Sequence, residues 1–305
     1  MLYVFSFIFG SAIGSFLGAI LSRMVPDEHE HRSFWKALSG RSQCASCAKI
    51  LAWYELIPVL SFVVQRGVCR SCKTKIPKSV FLIELVTGSV FTLIAWRFAA
   101  WFPLHSIWSD AVPASWVMGL IVGWWVIASL GILIAFYDAL YFLIPNITLY
   151  FLIAAAAAMN GVYVLMAHAV PAFPSGSIVF SGTLAYLVGG SVFSWVRILE
   201  GCAWALGLIG GAYVLTRGRG MGFGDVLIAL AFGILFGWPD VLMVLFVAFV
   251  LGTGASLVLL AARRKTMKSL VPFGPFLMLG ALTTVVFGVT LTSLYLGLFP
   301  GLLLS

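Results

Sequence analysis

The chain has 305 residues, of which 62% are hydrophobic and only 9% charged, with a formal net charge of +8. This composition lies far outside the range of soluble globular domains and makes the chain an integral membrane protein. Of its 18 Lys and Arg residues, ten lie in residues 23–79, two in "RGRG" (217–220) and four in "RRKTMK" (263–268); such clusters mark one side of a membrane and argue against a nucleic-acid-binding surface. The basic face favours anionic lipid headgroups.

Taken in chain order, apolar stretches long enough to span occur near residues 1–22, 80–101, 115–137, 146–167, 177–196, 198–216, 239–262 and 274–298, with a shorter one at 225–237. The first meets no positive charge until Arg23, the reverse of a secretory signal peptide, and reads as a retained helix with its N-terminus outside. By the positive-inside rule the three basic segments share the cytoplasmic side. Starting outside, four crossings leave the chain outside again after 146–167, so a single further crossing must reach "RGRG". Two apolar candidates occupy that interval. One of them is therefore re-entrant or interfacial, and Gly-rich "YLVGGSVFSW" points to 177–196. The expected architecture is an all-α polytopic membrane protein of about eight transmembrane helices, with that extra non-spanning segment and a small cytoplasmic insert. Its organisation reads as a first transmembrane helix (1–22), a cytoplasmic loop (23–79) and a transmembrane domain (80–305).

The loop contains "CASC" (44–47) and "CRSC" (69–72), two CxxC pairs separated by 21 residues. This spacing matches a zinc ribbon, in which Cys44, Cys47, Cys69 and Cys72 hold one structural tetrahedral ion. Disulfides compete for the same residues, but thiols on the cytoplasmic side stay reduced. Lys49, Arg70, Lys73 and Lys75 would offset the charge of four thiolates. Cys202, in an apolar stretch, reads as a small core residue. His29 and His31 of "DEHEH" read as a solvated loop, and His105 and His168 carry no signal.

Few acids lie near membrane-embedded sequence. Glu84 is near the start of the second helix, Asp110 and Asp240 fall in external loops, and Glu200 stands beside Arg197. Asp138 ends the third apolar stretch in "YDALYFLIPN", and Asp225 opens a short one after "GMGFG". The topology puts both at cytoplasmic helix ends, at one depth. Two such carboxylates tend to share a proton, so that one can activate a water while the other donates to a developing oxyanion or leaving amine. Gly220, Gly222 and Gly224 would let a substrate backbone approach Asp225.

These motifs together resemble the type IV prepilin peptidases, the bifunctional leader peptidases and N-methyltransferases of pilus and type II secretion systems. The resemblance runs through "GSFLGAILSRMVP", the cysteine loop with "WYELIP", "YDALYFLIPN", "GMGFGDV" and "VPFGPFLMLGA" (271–281). It implies that Asp138 and Asp225 are the catalytic pair of a GxGD-type aspartic peptidase in the bacterial inner membrane. The implied substrate is a prepilin or pseudopilin whose basic leader stays cytoplasmic and is cut after a glycine just before its apolar helix. A second activity, methylation of the new N-terminus with S-adenosylmethionine, is associated with the cysteine loop. Gly18 and Leu56 stand where the family commonly has Asn, Asn146 where it has Asp, and Leu227 where it has Lys. The first two bear on the methyltransferase half. Glu55 and Gly67 match the loop pattern but suit ordinary loop structure equally. Acidic residues Asp27, Glu28 and Glu30 are candidates to receive the basic leader.

The presenilin and signal peptide peptidase group also pairs YD with GxGD, but the zinc ribbon and "PFGP" (273–276) do not fit it. A transporter or zinc-ribbon scaffold with an ion-binding aspartate pair would place its acids near the bilayer midplane and show repeat symmetry. Here the acids lie at helix ends and no repeat is visible.

Overall fold

The structure is a computed structural model, described for residues 1–24, 34–104, 114–169, 195–263 and 271–298. In hydrocarbon every backbone N–H and C=O must be satisfied within the chain, so apolar runs of this length become helices. Among the described residues seven are long and apolar enough to cross a membrane: α1 (Leu2–Arg23), α4 (Lys78–Leu104), α5 (Ala114–Tyr141), α6 (Asn146–Ala169), α7 (Trp195–Leu215), α9 (Asp240–Ala261) and α10 (Gly274–Leu298). Two short helices, α2 (Phe34–Leu38) and α3 (Leu60–Val64), lie in the polar insert. The remaining helix, α8 (Phe223–Phe236), has 14 residues and a length of about 21 Å, short of a hydrocarbon core of about 30 Å.

α8 is nonetheless the hub. Nine of its residues are buried, and it packs on α6, α7, α9 and α10. Its contact with α7 is a crossing of glycines. A Cβ on Gly233 would lie 2.8 Å from Cys202 Cα, and one on Gly201 would lie 2.7 Å from the Gly233 carbonyl oxygen. Lipid supplies no hydrophobic drive between helices, so such close backbone approach is what holds them together. The same device joins α1 to α4: Gly10 and Gly14 sit against Phe91, Ile83 and the Glu84 backbone, and Gly88 against Ser11 and Phe7. Polar ties add direction. Trp125 donates to the Phe91 carbonyl (3.1 Å) while its ring stacks on Phe91 at 4.9 Å. Asn160 of α6 donates to the Ile234 carbonyl of α8 at 2.8 Å.

α5 runs on through Asp138 to Tyr141 and stops where Phe142 adopts a left-handed φ of 54°, which places Asp138 in the last helical turn, at a helix end as expected. One expectation changes. Asp240 is no external-loop residue: it is fully buried at the start of α9 and takes the Arg197 guanidinium at 3.1 Å, because an acid at that depth needs a cation. The stretch 198–216 forms α7, which carries a π-helical turn at Leu206–Gly210. Residues 177–194, most of the segment expected not to span, lie outside the described residues.

The helices alternate in direction, and one end of the bundle collects the end of α1, the starts of α4, α6, α8 and α10, and the end of α5. Tyr137 Oη donating to the Met24 carbonyl at 2.9 Å ties two of these ends together. A Gly233→Val substitution should force α7 off α8 and destabilise the protein by roughly 1–3 kcal/mol, read as a lower unfolding temperature in detergent, whereas Gly161→Ala, at a position with open space, should leave it unchanged.

Candidate active site and metal centre

Two carboxylates meet at this end of the bundle. Asp138 comes from the last turn of α5 and Asp225 from the first turn of α8, near enough for their charges to interact. Both are buried, at 6% exposure. Each has one oxygen pinned by a glycine amide: the Gly274 N–H donates to Asp138 Oδ2 at 2.9 Å, and the Gly222 N–H donates to Asp225 Oδ2 at 3.1 Å. The second contact is local, since Asp225 at the third helical position reaches back to the Gly222 amide at the N-cap. The first is long-range, placing the Asp138 carboxylate at the N-terminus of α10, where backbone amides favour negative charge. Asp225 Oδ1 is buried with no protein partner, which leaves it as an available acceptor.

The glycines of "GMGFG" divide their roles differently from the expectation. A Cβ on Gly224 would lie 2.8 Å from Ile144, so this glycine lets the α5–α6 turn pack onto α8 and brings the two aspartates together. A Cβ on Gly220 would meet Thr216 of its own turn. Only Gly222 has open space above it, limited by Asp225 itself at 3.6 Å, and so remains suited to an approaching backbone. Gly274 lies in "VPFGPFLMLGA". A Cβ there would sit 2.7 Å from Asp138 Oδ2, so any side chain would displace the carboxylate. Its glycine was legible; its partner, 136 residues away, was not.

Beside Asp138 and Gly274, beginning at Ala139 and Pro275, an apolar cavity of about 360 Å³ runs between α4, α5, α8 and α10. Small residues on α5 (Ala128, Gly131 and Ala135) form one wall, with Val90, Phe232 and Met278 around it.

The insert folds as two matching turns. In one, Cys44 N–H donates to the Lys49 carbonyl (3.0 Å) and Ala48 N–H to the Cys44 carbonyl (2.9 Å); in the other, Cys69 N–H donates to the Thr74 carbonyl (2.9 Å) and Lys73 N–H to the Cys69 carbonyl (3.0 Å). Ala48 and Lys73 both take left-handed φ, 55° and 58°. The turns bring the four sulfurs within 4.8 Å of one another, with Cys44 and Cys72 Sγ 3.8 Å apart. None is disulfide-bonded. A tetrahedral ion with Zn–S bonds of about 2.3 Å needs sulfurs about 3.8 Å apart, so this donor set fits zinc. The Thr74 hydroxyl and amide lower the Cys72 thiol to about 6, and the Cys47 and Ser46 amides lower that of Cys44. Although the Lys49 amide favours its thiolate, Cys47 is pushed up to about 11 by desolvation and the neighbouring thiols. Four thiolates this close thus require a cation among them.

Other predicted residues have structural explanations. Glu55 is buried and accepts the Ala52 amide at 2.9 Å, capping a turn of 3-10 helix. Gly67 takes a φ of +69° and lies under the Phe62 ring. Gly18 packs on Ile83, and Leu56 is exposed. Asn146 opens α6. Asp27, Glu28, His29, Glu30 and His31 lie outside the described residues.

Residues 125–257 match the type IV leader peptidase family and residues 8–98 the bacterial peptidase A24 N-terminal domain. The chain belongs to the type IV leader peptidase family. It is 31% identical to a prepilin leader peptidase/N-methyltransferase of Burkholderia pseudomallei over 81% of this chain and 67% of that one. A protein of the same description from Bacillus subtilis is 28% identical over 97% of this chain and 98% of its own. Another, from Myxococcus xanthus, is 29% identical over 85% of this chain, which spans 63% of that relative's length. No solved structure matches the chain. The family membership and the seven apolar helices make this leader peptidase family member a multi-pass membrane protein.

The purified protein should carry one zinc ion per chain, measured by elemental analysis. Cys44→Ser or Cys72→Ser should lower that content several-fold, since each removes one of four ligands.

Proposed function

We propose that this chain is an aspartic endopeptidase of the bacterial inner membrane that removes the basic leader from prepilins or pseudopilins. Its family is one of peptidases, and its relatives are named prepilin leader peptidase/N-methyltransferase. The observation that carries the aspartic assignment is the pair of buried carboxylates, Asp138 and Asp225, each steadied through one oxygen by a glycine amide. That restraint leaves Asp225 Oδ1 as an acceptor without a protein partner, as a water-activating pair requires. In the reaction, the ionised member takes a proton from a water as its oxygen adds to the scissile carbonyl, and the protonated member donates to the carbonyl oxygen. The tetrahedral diol then breaks its C–N bond as a proton passes to the leaving amine. Both acids return to their starting forms.

The apolar cavity supports the choice of substrate. It begins next to Asp138, so a chain cut there would run from a polar leader at the zinc-loop face into apolar walls. We place the first apolar side chains after the scissile bond against Ala128, Gly131 and Ala135. The zinc-loop face is then the cytoplasmic one, where the leader remains. The same chain would methylate the new N-terminus with S-adenosylmethionine. Zinc, held by Cys44, Cys47, Cys69 and Cys72, would be structural, since four sulfurs leave no open position for water.

Cleavage of a prepilin by the purified protein in liposomes, followed by mass spectrometry, tests the reading. Asp138→Asn and Asp225→Asn should each lower kcat by roughly 10²–10⁴-fold while zinc content and unfolding temperature stay unchanged. An active double variant would sink the assignment. Gly274→Ala should lower kcat by about 10²-fold through displacement of Asp138 alone. Ala135→Phe, which fills the cavity, should raise KM for a full prepilin and leave a short leader peptide unaffected.

A further inference from the structure

The polar insert contains one segment that does not behave as a solvated loop. Ile57, Leu60, Val63 and Val64 expose 38%, 56%, 58% and 61% of their surface, a cluster of aliphatic side chains with no protein covering them. Their depth decides what that surface faces. Val59 donates its backbone N–H to Glu84 Oε2 at 2.7 Å, and Phe62 stacks on Phe81 with ring centroids 4.9 Å apart. Glu84 lies six residues into α4, about 9 Å along the helix from exposed Lys78. On the α1 side it lies level with Gly14, nine residues before Arg23, or about 13.5 Å from that basic end. Val59 and Phe62 are thus held alongside the first two turns of α4, inward of both basic helix ends.

The backbone chemistry agrees with that depth. Val59 has φ 62° and ψ −52°, the rarer hand of γ-turn, closed by the Leu60 N–H donating to the Pro58 carbonyl at 2.5 Å. Irregular backbone is tolerated at membrane depth only where protein satisfies its polar groups. Here the Val59 amide is met by Glu84, itself 5% exposed and backed by α1 through Gly14. A buried carboxylate that the proposed peptidase chemistry does not use is explained as the acceptor for this turn.

We propose that residues 57–64 form a re-entrant wedge whose Leu60, Val63 and Val64 side chains contact phospholipid acyl chains, and that Glu84 is the positioning residue that holds the wedge in the bilayer. The zinc ribbon is thereby fastened to the membrane in addition to its covalent links to α1 and α4. Arg66 follows the wedge two residues on, close enough along the chain to meet anionic headgroups as it emerges. This inference stands independently of the peptidase reading.

A photoreactive benzoylphenylalanine placed singly at Leu60, Val63 or Lys73, in full-length protein reconstituted in phosphatidylethanolamine and phosphatidylglycerol nanodiscs, tests it. Mass spectrometry should find phospholipid adducts at 60 and 63 and none at 73. In a Glu84→Leu background the yield at 60 should fall by about fivefold or more, the smallest effect expected for leaving a buried amide unsatisfied. Glu84→Gln, which keeps an acceptor, should retain the yield. Zinc-loaded protein that gives no lipid adduct at 60 or 63, or crosslinks there to a second protein chain, overturns the proposal, as does an unchanged yield in Glu84→Leu. Should Glu84→Leu fail to fold, hydrogen exchange of the wild type decides: amides of residues 60–64 protected in nanodiscs support the wedge, and exchange as fast as in exposed loop refutes it.

Discussion

The hydrogen bond from the Gly274 amide to Asp138 Oδ2 joins the last turn of α5 to the first turn of α10, and the rest of the candidate site is arranged around it. It makes sense only because position 274 has no side chain, since a Cβ would occupy the carboxylate's place. With Asp138 held from one side, the α5–α6 turn presents Ile144 to Gly224, which seats Asp225 opposite. Two aspartates 87 positions apart are thus brought together by two glycine contacts, one to each acid's helix.

Glycine carries so much because the surroundings are hydrocarbon. Helices in lipid gain nothing from hiding apolar surface from one another, so close backbone approach and internally satisfied polar groups must hold the bundle. The α1–α4 and α7–α8 pairs use the first device. Tyr137 to Met24, Asn160 to Ile234, Arg197 to Asp240 and Val59 to Glu84 use the second. The same rule accounts for the short α8: too brief to span a full bilayer core, it is enclosed by neighbouring helices and carries Asp225 at its start.

The four-cysteine cluster follows a different logic. Two similar turns, each set by a left-handed residue and backbone bonds between neighbours, present two thiols apiece. Because these bonds are local, the spacing of the cysteines already announces the geometry.

What sequence alone determined reflects short-range physics. Apolar run length identified the membrane helices, CxxC spacing identified the four-sulfur cluster, and acids stranded beside hydrocarbon singled out Asp138 and Asp225. Each of these is a property of a few consecutive residues or of composition. Tertiary structure alone decided which groups meet across the chain. It gave Gly274 to Asp138, Ile144 to Gly224, Asp240 to Arg197 and Glu84 to Val59, and it opened an apolar cavity whose lining includes Ala139 and Pro275, the chain neighbours of Asp138 and Gly274. Such pairings depend on how helices cross and at what depth, and in lipid those crossings are selected by close packing among many surfaces of nearly equal hydrophobicity. A single sequence carries no periodic signal for that choice.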